Sequence, residues 1–154
     1  MNSVVTGFAV DSPVHYFEDI IKGAYASFSK TVTEADMVLF AGISGDTNPI
    51  HINQEFAEST AFAGRIVHGM LSAGFISTVL GMKLPGPGAV YMSQTLNFRA
   101  PVRVGDTVTA RAEVVDLIPE KRVIVLQTVC LVKEKVVLDG EARMTMPSRQ
   151  RHGR

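Results

Sequence analysis

Residues 67–80 contain no Asp, Glu, Lys or Arg, and the chain that follows them breaks into strand-like runs. In that stretch Met70, Leu71, Phe75, Ile76, Val79 and Leu80 alternate with small residues over a helical length. With no charged side to turn to water, such a helix has to be buried on nearly every side. The runs 90–99, 106–116, 122–132 and 136–146 read as strands, separated by turn signals at 102–106, 118–121 and 133–135. These connections are too short for helical crossovers, so the strands pair antiparallel. A sheet of this size leaves one face to cover, and the 67–80 helix is the only element that can cover it. The expected class is α+β, an antiparallel sheet around one central apolar helix, although the pattern alone leaves other α+β folds open. Gly69 and Gly74 each cost the helix roughly 1 kcal/mol relative to Ala, which makes sense where something approaches the backbone closely. Gly81 reads as its C-terminal stop.

Upstream, residues 24–32 alternate as a strand. Thr33-Glu34-Ala35-Asp36 has the form of a capping box, and Met37, Phe40 and Ala41 follow it at helical spacing. Gly42 and Gly45 then dissolve that helix ahead of Asp46. Residues 53–59 read as a further short helix capped by Asn53, with Phe56 turned inward and Glu55 and Glu58 toward solvent. One domain accounts for the 154 residues, with its core at about 24–147 and frayed ends at 1–14 and 148–154.

Fifteen basic and fifteen acidic residues cancel, so nothing global points to nucleic acid or an anionic membrane as a partner. The single Cys130 excludes a disulfide framework or a cysteine metal site and reads as a buried free thiol, consistent with a reducing cytoplasm. No leader-like or membrane-spanning run is present, and a soluble cytoplasmic protein is expected.

Chemistry concentrates in Ser44-Gly45-Asp46-Thr47-Asn48-Pro49-Ile50-His51. A carboxylate beside an imidazole is a common way to activate water. Gly45 permits a tight turn, Asn48 can cap the following helical turn, and Pro49 suits its first position. Doubling back at Asn48-Pro49 would face Asp46 and His51 onto one small volume. Spacing alone describes a poised pair and is equally satisfied by two surface polar groups.

Residues 40–51, F-A-G-I-S-G-D-T-N-P-I-H, closely resemble the hydratase-2 signature of the MaoC-like dehydratases, R-specific enoyl-CoA hydratases with a hot-dog fold. Residues 65–71 (R-I-V-H-G-M-L), 81–86 (G-M-K-L-P-G), 96–102 (L-N-F-R-A-P-V) and 104–106 (V-G-D) extend the resemblance over about 25–146. It implies a trans-2-enoyl-CoA substrate and reversible syn addition of water, giving an R-3-hydroxyacyl-CoA without a cofactor. Asp46 is then the principal base and His51 the group that orients and polarises the water. The backbone N–H of Gly69, at the start of the central helix, becomes the oxyanion donor; the plain alternative is a glycine kept for close packing. The resemblance also implies that Ser77 faces Asp46 and orients it, with Asn48 holding the loop. The acyl chain is expected between helix and sheet against Val79, Leu80, Met82 and Leu84, positions that suit a core equally well. Arg99, Arg103, Lys121 and Arg122 are the candidates for the CoA phosphates. Single-domain hot-dog proteins pair sheet edges, which implies a homodimer.

No metal is expected, because Asp46, His51 and His68 lack compact ligand spacing and the addition needs no Lewis acid beside an oxyanion donor; His68 reads as a helix-start residue with a satisfied hydrogen bond. Two other functions fit the same fold, a thioesterase whose carboxylate directs water at the thioester carbonyl, and a non-catalytic acyl-CoA-binding protein.

Overall fold

The computed structural model describes residues 14–150, so the fraying expected at 1–13 and 151–154 lies outside the described residues. Among them the chain forms β1 (Tyr25–Thr31), α1 (Glu34–Ser44), α2 (Pro49–Ile52), α3 (Gln54–Glu58), α4 (Gly69–Met82), β2 (Val90–Gln94), β3 (Asn97–Phe98), β4 (Thr107–Ile118), β5 (Val123–Val132) and β6 (Lys135–Thr145). Every pairing is antiparallel, in the order β1-β4-β5-β6-β2, with β3 also on β6. Helix α4 lies against β1, β4, β5 and β6, so the expected sheet around a central helix is present. No helix of the described residues is long and apolar enough to cross a membrane.

The sheet accepts the helix because its inner face is lined with small side chains where it must be. Ala110 and Ala112 of β4 and Ala142 of β6 are fully buried beneath α4, and their short side chains leave room for Phe75, Ile76, Val79 and Leu80 to enter the sheet. Each large apolar side chain so buried contributes about 1.5–3 kcal/mol. Cys130 sits in the same inner face, opposite Ala110 and Leu138, and burial pushes its thiol up to about 12.

Local signals hold in α1, where Thr33 Oγ1 accepts from Asp36 N and Asp36 Oδ2 accepts from Thr33 N. Gly45 then ends the helix in the left-handed region, at φ 76°. Several expectations need correction. Helix α4 is not covered on every side, since Met70, Gly74, Ser77 and Gly81 form an exposed stripe at spacings of four, three and four. Nor does it stop at Gly81: it runs to Met82, and Lys83 N and Leu84 N both return to Val79 O. Phe56 is 47% exposed and Ala57 fills the inward position in its place, while Glu55 and Glu58 face solvent as expected. The described end of the C-terminal tail is tied down, with Arg149 paired to Asp19 and stacked over Tyr16.

The strand expected over 90–99 is broken in two at Thr95 and Leu96. Thr95 N donates to Glu141 O and Thr95 Oγ1 accepts from Glu141 N, both at 2.9 Å, which brings the Thr95 carbonyl over Gly140. A Cβ on Gly140 would lie 1.8 Å from that oxygen. Gly140→Ala therefore has to displace the backbone between β2 and β3. The expected outcome is a loss of about 3 kcal/mol or more in unfolding free energy, read from the urea midpoint, and an unchanged midpoint would show that this crossing is not close.

Candidate active site

The end of α1 and the start of α2 are stitched together by short-range bonds that aim Asp46 and His51. Ser44 Oγ donates to Phe40 O and accepts from Asp46 N, and Asp46 Oδ1 accepts from Asn48 N at 3.2 Å. Asn48 in turn caps α2, its Oδ1 accepting from Ile50 N with Pro49 in the first helical position. His51 lies in that single turn. Its Nδ1 is 2.8 Å from Ile66 O, and a carbonyl only accepts, so Nδ1 carries a proton and Nε2 faces Asp46 Oδ2 at 3.9 Å. Two acceptors at this separation can each take one hydrogen of a single water, which leaves a lone pair of its oxygen free to attack. The Asp46 side chain is 49% exposed and that of His51 12%, so the pair sits at a boundary between solvent and protein.

Beside the pair opens a cavity of about 560 Å³, lined by Asp46, His51, His68, Gly69, Ser72 and Arg99 and by apolar side chains that include Phe62, Val67, Met70, Phe98, Val102 and Leu138. Gly69 is the first residue of α4, where an N–H has no partner within the helix and the dipole is positive. The sequence thus brings Asp46, His51, Asn48 and Gly69 together. Close packing at Gly69 holds as well, since a Cβ there would meet Phe98 Cε1 at 2.5 Å.

Other expectations are not met. Ser77 does not reach Asp46 within the chain; it is exposed on the open stripe of α4, in a groove with Met70, Gly74, Tyr91 and Met92. Eight residues beyond Gly69, it is turned by about 80° round the helix, onto the open stripe. Val79, Leu80 and Leu84 are core residues facing the sheet, and Met82 is 54% exposed, so none of these lines the cavity. Of the cations, Arg99 lines the cavity and is paired bidentately with Asp139, whose carboxyl it holds below the usual carboxylate range. The Arg103 guanidinium is committed to the carbonyls of Phe62, Gly64 and Arg65. Lys121 and Arg122 lie at the turn joining β4 to β5 and do not line the cavity.

His68 is more than a helix-start residue. It stands at the N-cap of α4 but its side chain makes no capping bond; its Nε2 is 2.9 Å from Asp46 O, and its ring stacks on His51. Ligand atoms of Asp46, His51 and His68 all fall within 4.8 Å of one another, a closeness that their sequence spacing hides. The rings are nevertheless poorly arranged for a shared ion. Lone pairs of imidazole lie in the ring plane, and two rings stacked with planes 27° apart and centroids 3.9 Å apart cannot both meet one ion at a coordination distance of about 2 Å. Phe98, Ser72 and the Ile66 carbonyl also belong to the site; Ile66 and Phe98 fall within the 65–71 and 96–102 stretches of the resemblance, which implied no role for them, and no motif marks Ser72.

A family model described as MaoC like domain matches residues 17–136. An (R)-specific enoyl-CoA hydratase of Rhodospirillum rubrum is 57% identical over 141 residues, covering 92% of this chain and 98% of that protein. A 3-hydroxybutyryl-CoA dehydratase of Methylorubrum extorquens is 53% identical, over 89% of this chain and 87% of its own length. Among solved structures, the (R)-hydratase from A. caviae involved in PHA biosynthesis matches with a TM-score of 0.82 and 40% identity, over 84% of this chain and 99% of that one.

The contact of Gly69 with Phe98 can be tested by stability alone. Gly69→Ala is expected to lose about 1–3 kcal/mol through overpacking, and adding Phe98→Ala should return more of that than Phe98→Ala gives in the native background. Additive effects in denaturant titrations would mean that the ring does not rest on the glycine.

Proposed function

This chain belongs to the MaoC-like dehydratase family, with its hot-dog fold, and we propose that it is an R-specific enoyl-CoA hydratase, a hydro-lyase that adds water reversibly across a trans-2-enoyl-CoA to give an R-3-hydroxyacyl-CoA. The observation that carries the mechanism is the 3.9 Å between Asp46 Oδ2 and His51 Nε2 at the edge of an apolar cavity. Water held by both acceptors attacks C3 and gives up a proton to the pair, chiefly to Asp46. The C3–O bond forms as one O–H bond breaks, and the pair returns the proton to C2 on the same face. Charge that builds on the thioester oxygen meets the Gly69 N–H and the positive end of α4, a donor that needs no reorganisation.

The apolar wall of the cavity suits the acyl chain, which replaces the earlier placement against Val79, Leu80, Met82 and Leu84. Arg99, at the cavity, is the cation best placed for a CoA phosphate. A homodimer is also proposed. The β1 edge is covered where Lys83 Nζ donates to Ser27 O, whereas β2 is an edge strand with Val90 61% and Met92 56% exposed, next to the open stripe of α4. Pairing a second copy there covers both the edge and the stripe.

Two measurements test this reading. Loss of enoyl-thioester absorbance with crotonyl-CoA, and oxidation of the product by an R-specific dehydrogenase, are expected for the wild type. Asp46→Asn should lower kcat at least about 100-fold with the fold intact. Release of free CoA thiol without hydration would overturn the hydratase in favour of a thioesterase. Light scattering should give the mass of two chains for the wild type and of one chain for Gly74→Asp, which puts a charge into the stripe; a monomeric wild type would remove the dimer.

A further inference from the structure

The bonds that hold Asp46 within its own turn are short in sequence: its N–H goes to Ser44 and its Oδ1 takes the N–H of Asn48. Such a turn has no intrinsic register with α4. The hydrogen bond that ties it there comes from His68 Nε2 to Asp46 O, spanning 22 residues. His68 is 1% exposed and its Nδ1 is buried without a partner, so the ring makes one polar contact and that contact is to the backbone of the base. Its faces are occupied as well. His51 of α2 stacks on it with centroids 3.9 Å apart, and Phe40 of α1 packs against it at 4.9 Å. The next residue is Gly69, whose N–H is the proposed oxyanion donor.

Resting on the hydratase reading, we infer that His68 is a positioning residue for hydration. Its Nε2–H fixes the Asp46 main chain and its ring braces His51, so that the two groups keep the separation at which they share one water. Because His68 and Gly69 are adjacent, the same residue sets the distance from the base to the oxyanion donor. His68 touches no reacting atom in this role and acts through Asp46 and His51. A buried polar side chain with one satisfied nitrogen costs stability that a leucine would not, which is understandable if the bond it makes serves geometry.

The test compares wild type, His68→Leu and His68→Gln with crotonyl-CoA, each also in an Asp46→Asn background. His68→Leu should lower kcat about 100-fold, the scale of a misplacement near 1 Å, with KM changed less than about threefold. His68→Gln, whose amide N–H reaches toward the same carbonyl, should recover to within about tenfold of wild type. In the Asp46→Asn background His68→Leu should change the residual rate by less than about threefold, because there is no longer a carboxylate to place. Folding is checked by thermal unfolding. Should His68→Leu not fold, Phe40→Leu, which removes the other brace, is expected to lower kcat about fivefold at unchanged KM, again with no further loss beside Asp46→Asn. A folded His68→Leu with wild-type kcat, a glutamine no better than leucine, a full loss repeated in the Asp46→Asn background, or an indifferent Phe40→Leu would each overturn the inference. An active wild type with any of these results removes the role of His68 alone, whereas a wild type that hydrates nothing removes the hydratase reading and this role with it.

Discussion

A helix without a single charged side chain has to be set into a curved sheet, and the depth to which it sinks depends on Ala110, Ala112 and Ala142 beneath it. Larger side chains at these positions would lift α4 and with it the residues at its first turn. His68 and Gly69 are where they are because Phe75, Ile76, Val79 and Leu80 are driven into the sheet about two to three turns further on. Hydrophobic burial, which has no direction of its own, is thereby converted into the placement of one N–H and one imidazole. The chemistry of the site is built from the end of the element that the core grips most firmly.

Against that fixed end stands a turn governed by local hydrogen bonds. Ser44, Gly45, Asn48 and Pro49 each do what their type does in short peptides: a hydroxyl back-bonds, a glycine takes a left-handed φ, an amide caps and a proline starts a turn. Such a turn is stiff within itself and free as a body. The long-range bonds from His51 to Ile66 O and from His68 to Asp46 O convert it from a stable local shape into a located one. Neither bond uses a charged partner, which suits a place where charge must move during turnover.

The parts of this molecule that were legible in its sequence are those decided by short-range chemistry or by period. The Thr33 box, the Asn48 and Asn53 caps, β4, β5 and β6, and the pairing of Asp46 with His51 follow from residues within a few positions of one another. Composition misled where a face is buried only by something else. The stripe of Met70, Gly74, Ser77 and Gly81 is as uncharged as the rest of α4, and hydropathy could not separate the side that meets the sheet from the side left open. Ser77, which only the resemblance set facing Asp46, lies on that open side within the chain, and Val79 and Leu80 look alike whether they line a core or a pocket. The break at Thr95 depends on a glycine 45 residues later and could not be read locally. Metal spacing failed in the opposite sense: residues far apart along the chain converge, and only the ring planes show how little that convergence offers an ion.

Arg103, expected as a phosphate ligand, instead gathers the carbonyls of Phe62, Gly64 and Arg65, while its own N–H is held by Asp106. The next carbonyl along is that of Ile66, the acceptor that selects the His51 tautomer. A planar fork of donors on one strand connection thus acts as a template for the loop that tells an imidazole which nitrogen to keep bare. A lysine at this position carries the same charge but offers a single point and no fork. Anyone redesigning such an enzyme could therefore retune its imidazole from behind the site, by editing a cation bound only to the backbone.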